Sequence, residues 1–259
     1  MIQKQFAENV MGILETDLSV VGLAAAGSWI TNEIDEYSDL DLVLVTRKKI
    51  TQEPAKMLGY AQRFGKLLSG FTGEHVAEPR LLICLYADPL LHVDIKFVTP
   101  DEFRSRIENP VILLDRNHEL ATIISQTTAA FPYPGYQWIE DRFWTWIHYT
   151  LVKIQRGEYF EAVEAFGFLR LHIFGPLLHI KNNNLPRGVR KVEMQLPPDD
   201  INDLKLILPD YEHSSLINGL KNCIALYRKL RTALYDKNVI LRNEAEKEVM
   251  AYFENTGSN

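Results

Sequence analysis

Cysteine is nearly absent from this 259-residue chain, which has only Cys84 and Cys223. One lies in an apolar strand-like run and the other in a helical pattern, so neither a disulfide framework nor a zinc cage is expected. A cationic excess is missing too: 28 lysines and arginines face 34 aspartates and glutamates, leaving a formal charge of −6. That balance argues against a protein that grips long nucleic acid through its phosphates, which takes a basic face. It suits a cationic small substrate, and it admits a nucleotide if metal ions screen a triphosphate from acidic ligands. No stretch reads as a membrane span, and the first ten residues lack the apolar core of a signal peptide. A cytoplasmic protein with no membrane partner is the expectation. Internal repeats and low-complexity segments are also lacking.

What is present is ordinary globular material, 46% hydrophobic and 24% charged, enough for substantial cores. The length favours two domains over one. The stretch Ala130-Phe-Pro-Tyr-Pro-Gly-Tyr136 packs two prolines and a glycine into seven residues and reads as a connection. The expected domains are therefore residues 1–130 and 137–259. In the first, apolar spacing predicts a helix over about 3–15, strands over 19–26, 80–86, 90–98 and 111–114, and helices over 53–68 and 119–126. A break is expected at Gly70 to Gly73, and Pro100 opens a short helix. In the second, helices are expected over about 137–156, 158–182, 212–236 and 242–254, with prolines punctuating the middle. The fold class is α+β, a mixed sheet with flanking helices followed by a helical bundle.

The segment Val21 to Val45 carries the most chemistry. An apolar run ends in a Gly27-Ser28 turn, ten residues follow, and Asp39-Leu40-Asp41 then opens a second apolar run. Strand side chains alternate, so Asp39 and Asp41 share one face while Leu40, Leu42 and Leu44 take the other. Two carboxylates held side by side repel unless a cation sits between them, and a hard divalent ion with oxygen ligands is the natural occupant. Asp94 adds a third acid on a later strand, on one face with His92 and Lys96. The bland alternatives are acids facing water and an Asp94–Lys96 surface pair. Gly-Ser after a strand is by itself a turn, although glycine lets backbone N–H groups approach phosphate oxygens closely.

A Gly-Ser turn, a D-x-D strand and a later single acid, in that order, resemble the polymerase-β-type nucleotidyltransferase superfamily. Within it the chain looks most like the small bacterial lincosamide and aminoglycoside adenylyltransferases, including the Val111-Ile-Leu-Leu-Asp-Arg-Asn-His-Glu-Leu120 stretch and the helix leading to Lys153-Ile-Gln-Arg-Gly-Glu-Tyr159. The resemblance implies a nucleotidyltransferase fold for the first domain. It implies Mg2+-dependent transfer of a nucleoside monophosphate, AMP from ATP, to a hydroxyl of a small molecule such as an antibiotic. Asp39, Asp41 and Asp94 would be the catalytic metal ligands, and Gly27 and Ser28 would contact phosphate. Asp94 would also be the base, with Glu140, Asp141 or Glu158 of the helical half as alternatives. Several relatives are homodimers, so a dimer is expected.

Arg142, Trp146, Tyr149, Lys153 and Arg156 fall on one helix face at spacings of four, three, four and three. That face offers Lys153 to a triphosphate and a ring to a base; as a plain reading it is a core stripe with snorkelling cations. The Arg142-x5-His148 spacing raises a competing acceptor, a protein or an RNA end in a toxin–antitoxin-like system. A non-catalytic nucleotide-binding module is the third reading. Gly59 to Lys66 imitates a phosphate loop but has the wrong spacing and reads as helix, and His172 and His179 have no acidic or thiol companions for a metal.

Overall fold

In the computed structural model, which describes residues 1–256, β1 (Val20–Ala25) is buried at every position because it is paired on both sides. Its partners are β2 (Leu40–Thr46) and β6 (Val111–Asp115), and β3 (Leu67–Gly73), β4 (Glu78–Tyr86) and β5 (Leu91–Val98) complete a six-stranded sheet ordered β3-β4-β5-β2-β1-β6. The β2–β5 pair is parallel and the other pairs are antiparallel. The sheet is therefore mixed, and it lies in the unit Met1–Phe131; Pro132–Asn259 forms a second, helical unit.

Each face of the sheet has its own cover. Ala7, Val10 and Leu14 of α1 (Ile2–Leu14), with Met57, Ala61 and Phe64 of α2 (Pro54–Phe64), pack against Leu40, Leu42, Leu44, Val93, Ile95 and Phe97. On the other face, Phe103 of α3 (Pro100–Phe103) and Leu120 and Ile123 of α4 (Glu119–Gln126) cover Val21, Val45 and Val98. Alternation then fixes where the acids go. Asp41 shares a face with Val45, and Asp94 with Val98; Asp41 is the second residue of β2 and Asp94 the fourth of β5, and both are only half-buried.

The helix expected over 53–68 stops at Phe64, because Gly65 is extended and the chain turns into β3. The Gly70 to Gly73 stretch, expected as a break, is strand instead, with Phe71 opposite Ile83 at the sheet edge.

The second unit contains α5 (Tyr136–Gln155), α6 (Tyr159–Leu169), α7 (Gly175–Lys181), α8 (Val192–Gln195), α9 (Pro198–Leu206), α10 (His213–Leu234) and α11 (Asn243–Thr256). Phe143 stacks on Tyr227 with ring centroids 3.6 Å apart, at the centre of a core shared by most of these helices. The helix expected over 158–182 is α6 and α7 joined by a π-helical turn at Arg170–Phe174. Contrary to the sequence reading, the stretch Tyr159–Lys181 is long and apolar enough to cross a membrane by length and composition; half of that window is buried inside the unit, as expected of a core helix. The proline-punctuated middle holds α8 and α9, with Pro198 at the first turn of α9, where its missing N–H costs nothing.

Arg116, just after β6, closes the opening of the first unit. Its guanidinium donates to the carbonyls of Val20 (2.8 Å), Leu14 (2.9 Å) and Glu15 (2.6 Å), tying the α1–β1 turn to the far edge of the sheet. Arg116→Ala removes these hydrogen bonds together, and urea denaturation should show a loss of about 1–3 kcal/mol; a change below about 0.5 kcal/mol would contradict this anchoring role.

Candidate active site

The site is built where β1 ends and β2 begins, beside the middle of β5. Ala26 N–H donates to the Asp41 carbonyl at 2.9 Å, carrying the β1–β2 ladder one residue past the strand. Gly27 then turns with φ +59°, and a Cβ placed there would lie 2.0 Å from Asp41 Oδ2. Two independent constraints, the left-handed backbone and the carboxylate, therefore require glycine. The Asp41 carboxylate is directed at the Gly27 turn. Ser28 and Trp29 continue as a single 3-10 turn, with the Trp29 ring packed on the sheet core.

Across the parallel pair, Asp41 is the register partner of Asp94. Their flanking residues, Leu40 with Val93 and Leu42 with Ile95, are buried on the opposite face, so the two acids share a face by construction. Asp39 stands one residue before β2. Burial raises the Asp94 carboxyl above the ordinary aspartate range, and the negative charge of Asp39 adds to this; His92 opposes both, with Nε2 2.9 Å from Asp94 Oδ1. The Asp94–Lys96 pair considered from sequence does not form. Lys96 Nζ lies 2.7 Å from Glu78, which also takes the Arg80 guanidinium. Hydrogen bonds from Arg80 lead in holding the Glu78 carboxyl down at about 2, ahead of the Lys96 interaction.

The residue that sequence reasoning missed is Glu108. Its Oε1 accepts the Gly27 N–H at 3.1 Å across 81 positions of chain. The loop carrying it is pinned by Arg106, whose guanidinium donates to Asn109 Oδ1 (2.7 Å), Thr127 Oγ1 (2.5 Å) and the Thr127 carbonyl (2.8 Å). A carboxylate thus occupies the backbone donor expected to meet a phosphate oxygen. The Arg-Ile-Glu-Asn-Pro sequence around Glu108 has no spacing to the Gly27 turn that could reveal the contact.

The donor set around Asp41 and Asp94 consists of oxygens, which suits a hard divalent cation. It is not drawn into a cage: among the described residues, no three His, Cys, Asp or Glu side chains stand together as ligands. Asp94 is turned to His92 and Asp41 to the Gly27 turn, so a cation would gather carboxylates that are aligned by the strands but not yet converged.

In the helical unit, Lys153 is not an uncommitted cation. Glu158 lies 2.6 Å and Glu161 2.9 Å from Nζ, and hydrogen bonding, from Glu158 foremost, holds its pKa well above the usual lysine value. The three acids considered as alternative bases are also engaged. Glu140 is fully buried and accepts from the Tyr227 hydroxyl at 2.5 Å and the Arg242 N–H at 2.9 Å; Asp141 pairs with Arg242 at 2.6 Å; Glu158 takes both Lys153 and Arg156. His148 lies against the Tyr252 ring and Arg142 over the Trp138 ring, an aromatic packing role for each. His179, buried, bonds the Arg190 carbonyl at 3.1 Å.

No protein-family profile and no curated protein matches the chain. Among solved structures, the chain is similar to an aminoglycoside 6-adenyltransferase from Bacillus subtilis, at 15% identity over 99% of both chains with a TM-score of 0.42. It is also similar to a nucleotidyltransferase-like protein from Exiguobacterium sibiricum 255-15, at 13% identity over 99% of this chain and 92% of that one, with a TM-score of 0.34. Such scores assign no activity, which has to come from the residues.

Two outcomes are expected of this geometry. Side-chain carboxyl NMR should find Asp94 titrating above the ordinary aspartate value of about 3.9. Asp39→Asn should lower that value by removing a like charge, and His92→Ala should raise it; shifts in the opposite directions contradict the arrangement. Gly27→Ala should destabilise the protein by about 1–3 kcal/mol, the scale of an imposed backbone strain, and wild-type stability in this variant would disprove the close approach to Asp41.

Proposed function

We propose that the protein is an enzyme that transfers a nucleoside monophosphate from a nucleoside triphosphate, with ATP the expected donor, to a hydroxyl of a small molecule. The observation that carries the reading is the in-register Asp41–Asp94 pair facing a glycine turn whose backbone N–H already holds an anionic oxygen. A Gly-Ser turn, a pair of acids where the next strand begins and a third acid on the adjacent parallel strand suit this chemistry.

In the reaction, the acceptor oxygen forms a bond to the α-phosphorus and the bond from that phosphorus to the β-bridging oxygen breaks. Pyrophosphate departs with the electron pair. Asp94, held less acidic than an exposed aspartate by burial, accepts the proton that the acceptor hydroxyl loses. His92, 2.9 Å away, orients that carboxyl. The Gly27 N–H donates to a phosphate oxygen once Glu108 moves aside, and the Ser28 hydroxyl supplies a second donor. Asp41, Asp94 and Asp39 would hold Mg2+, which when bound supplies charge neutralisation at the attacking and leaving oxygens.

The test is incubation of the protein with α-labelled ATP, Mg2+ and a panel of aminoglycosides and lincosamides. Pyrophosphate release with transfer of label to one acceptor is expected. Asp41→Asn and Asp94→Asn should each lower kcat by at least about 100-fold, and unchanged turnover in either variant would refute its assignment. Glu108→Gln should tighten ATP binding, since a neutral amide competes less well for the Gly27 N–H; weaker binding would instead make Glu108 part of the ATP site. ATP binding that ignores Mg2+, with no pyrophosphate released for any acceptor, would favour a non-catalytic module. Labelling of a protein or an RNA end would move the acceptor to a macromolecule.

A further inference from the structure

At the other end of β2, about 17 Å from Asp41 at the strand rise of about 3.3 Å per residue, the sheet carries a second site of opposite charge. Past Thr46 the chain reads Arg47-Lys48-Lys49, and these three residues meet Lys56 and Arg63 of α2 around a cavity of about 540 Å³. Five cations thus line one concavity in a chain whose formal charge is −6. Glu53 is the single acid among the lining residues.

Local neutralisation is incomplete. Lys56 pairs with Glu53 at 2.8 Å, Lys49 with Glu102 at 2.8 Å and Arg63 with Asp17 at 2.9 Å. Among the described residues no acid pairs with Arg47 or Lys48. Arg47 is instead fixed in place: its Nε donates to the Leu18 carbonyl at 3.0 Å, which orients the guanidinium without cancelling its charge. The Ser19 hydroxyl, which donates to Asp17 Oδ1 at 2.5 Å, lies 2.8 Å from the Tyr60 hydroxyl at the cavity lining, and Arg63 stands over the Tyr60 ring at 5.4 Å. A concave surface with two unneutralised cations, one of them pre-oriented, and three exchangeable ion pairs is built for several negative charges on one compact ligand. Its volume is in the range of small-molecule sites.

We propose that this cavity is an anion site, separate from the acidic one, that binds a small phosphate-bearing polyanion through Arg47, Lys48 and the neighbouring lysines. The site belongs wholly to the first unit and needs neither a divalent cation nor the aspartates, so it stands or falls apart from the proposed transfer activity. Being pinned by β2 at one end and α2 at the other, it also offers a bound anion a rigid connection to the strand that carries Asp41.

The experiment is calorimetric titration of the full chain with inorganic pyrophosphate in EDTA, at low and at physiological salt. Saturable binding of one pyrophosphate per chain is expected, weakening with salt. Lys48→Glu and Arg47→Ala should each weaken it at least tenfold, with the melting temperature of Lys48→Glu near wild type because Lys48 is exposed and unpaired; Asp41→Asn should leave it unchanged. Equal binding in wild type and Lys48→Glu, or absence of binding to millimolar pyrophosphate, would overturn the proposal. Loss of binding in Asp41→Asn alone would place the anion at the acidic site and overturn it too. A single-stranded RNA oligonucleotide that binds far more tightly than pyrophosphate, and loses that binding in Lys48→Glu, would replace the small ligand with a polymer.

Discussion

The proposed transfer site depends on one constraint: β2 and β5 are parallel neighbours in a register that sets Asp41 beside Asp94. Their other faces bury Leu40, Leu42, Val93 and Ile95, so neither acid can turn away without exposing the core. Like-charged carboxyls are thereby gathered in one region of the sheet, and the Asp39 charge already adds to the burial that raises the Asp94 carboxyl. The fold accepts this repulsion at a place where Asp41 and Asp94 are only half-buried. Part of the strain is relieved by His92 and part by the raised proton affinity of Asp94. A bound cation would relieve the rest, which is why an arrangement unfavourable to the empty protein makes sense as a site.

Much of this was legible in the sequence, because alternation along a strand is a local property. The faces of Asp41 and Asp94 follow from their apolar neighbours alone, and the Gly27-Ser28 turn from its place between two apolar runs. What was not legible came from pairings between distant segments. No pattern joins Glu108 to Gly27; the loop that carries Glu108 is held by Arg106 against Thr127, another segment distant in sequence. The β3 strand was hidden because its glycines read as punctuation, while its strand character comes from pairing with β4. In the helical half, periodicity located the long helices but could not show that Lys153 is held by Glu158 and Glu161, or that Glu140 is sealed beneath Tyr227.

The charges of the first unit are sorted by strand end. Acids gather where β2 begins, and cations gather where it ends, on the face covered by α1 and α2. A chain of acidic composition can therefore still bind anions, provided the cations are local and their partners few. Net charge sets the long-range field, whereas two unneutralised side chains in a cavity set the affinity.

The claim that Asp41 and Asp94 jointly hold a divalent cation beside a triphosphate is tested most directly by electron paramagnetic resonance of Mn2+, titrated into the protein with a nonhydrolysable ATP analogue. The account predicts tight Mn2+ binding that requires the analogue and is lost in both Asp41→Asn and Asp94→Asn. Mn2+ held equally by wild type and both variants would contradict it.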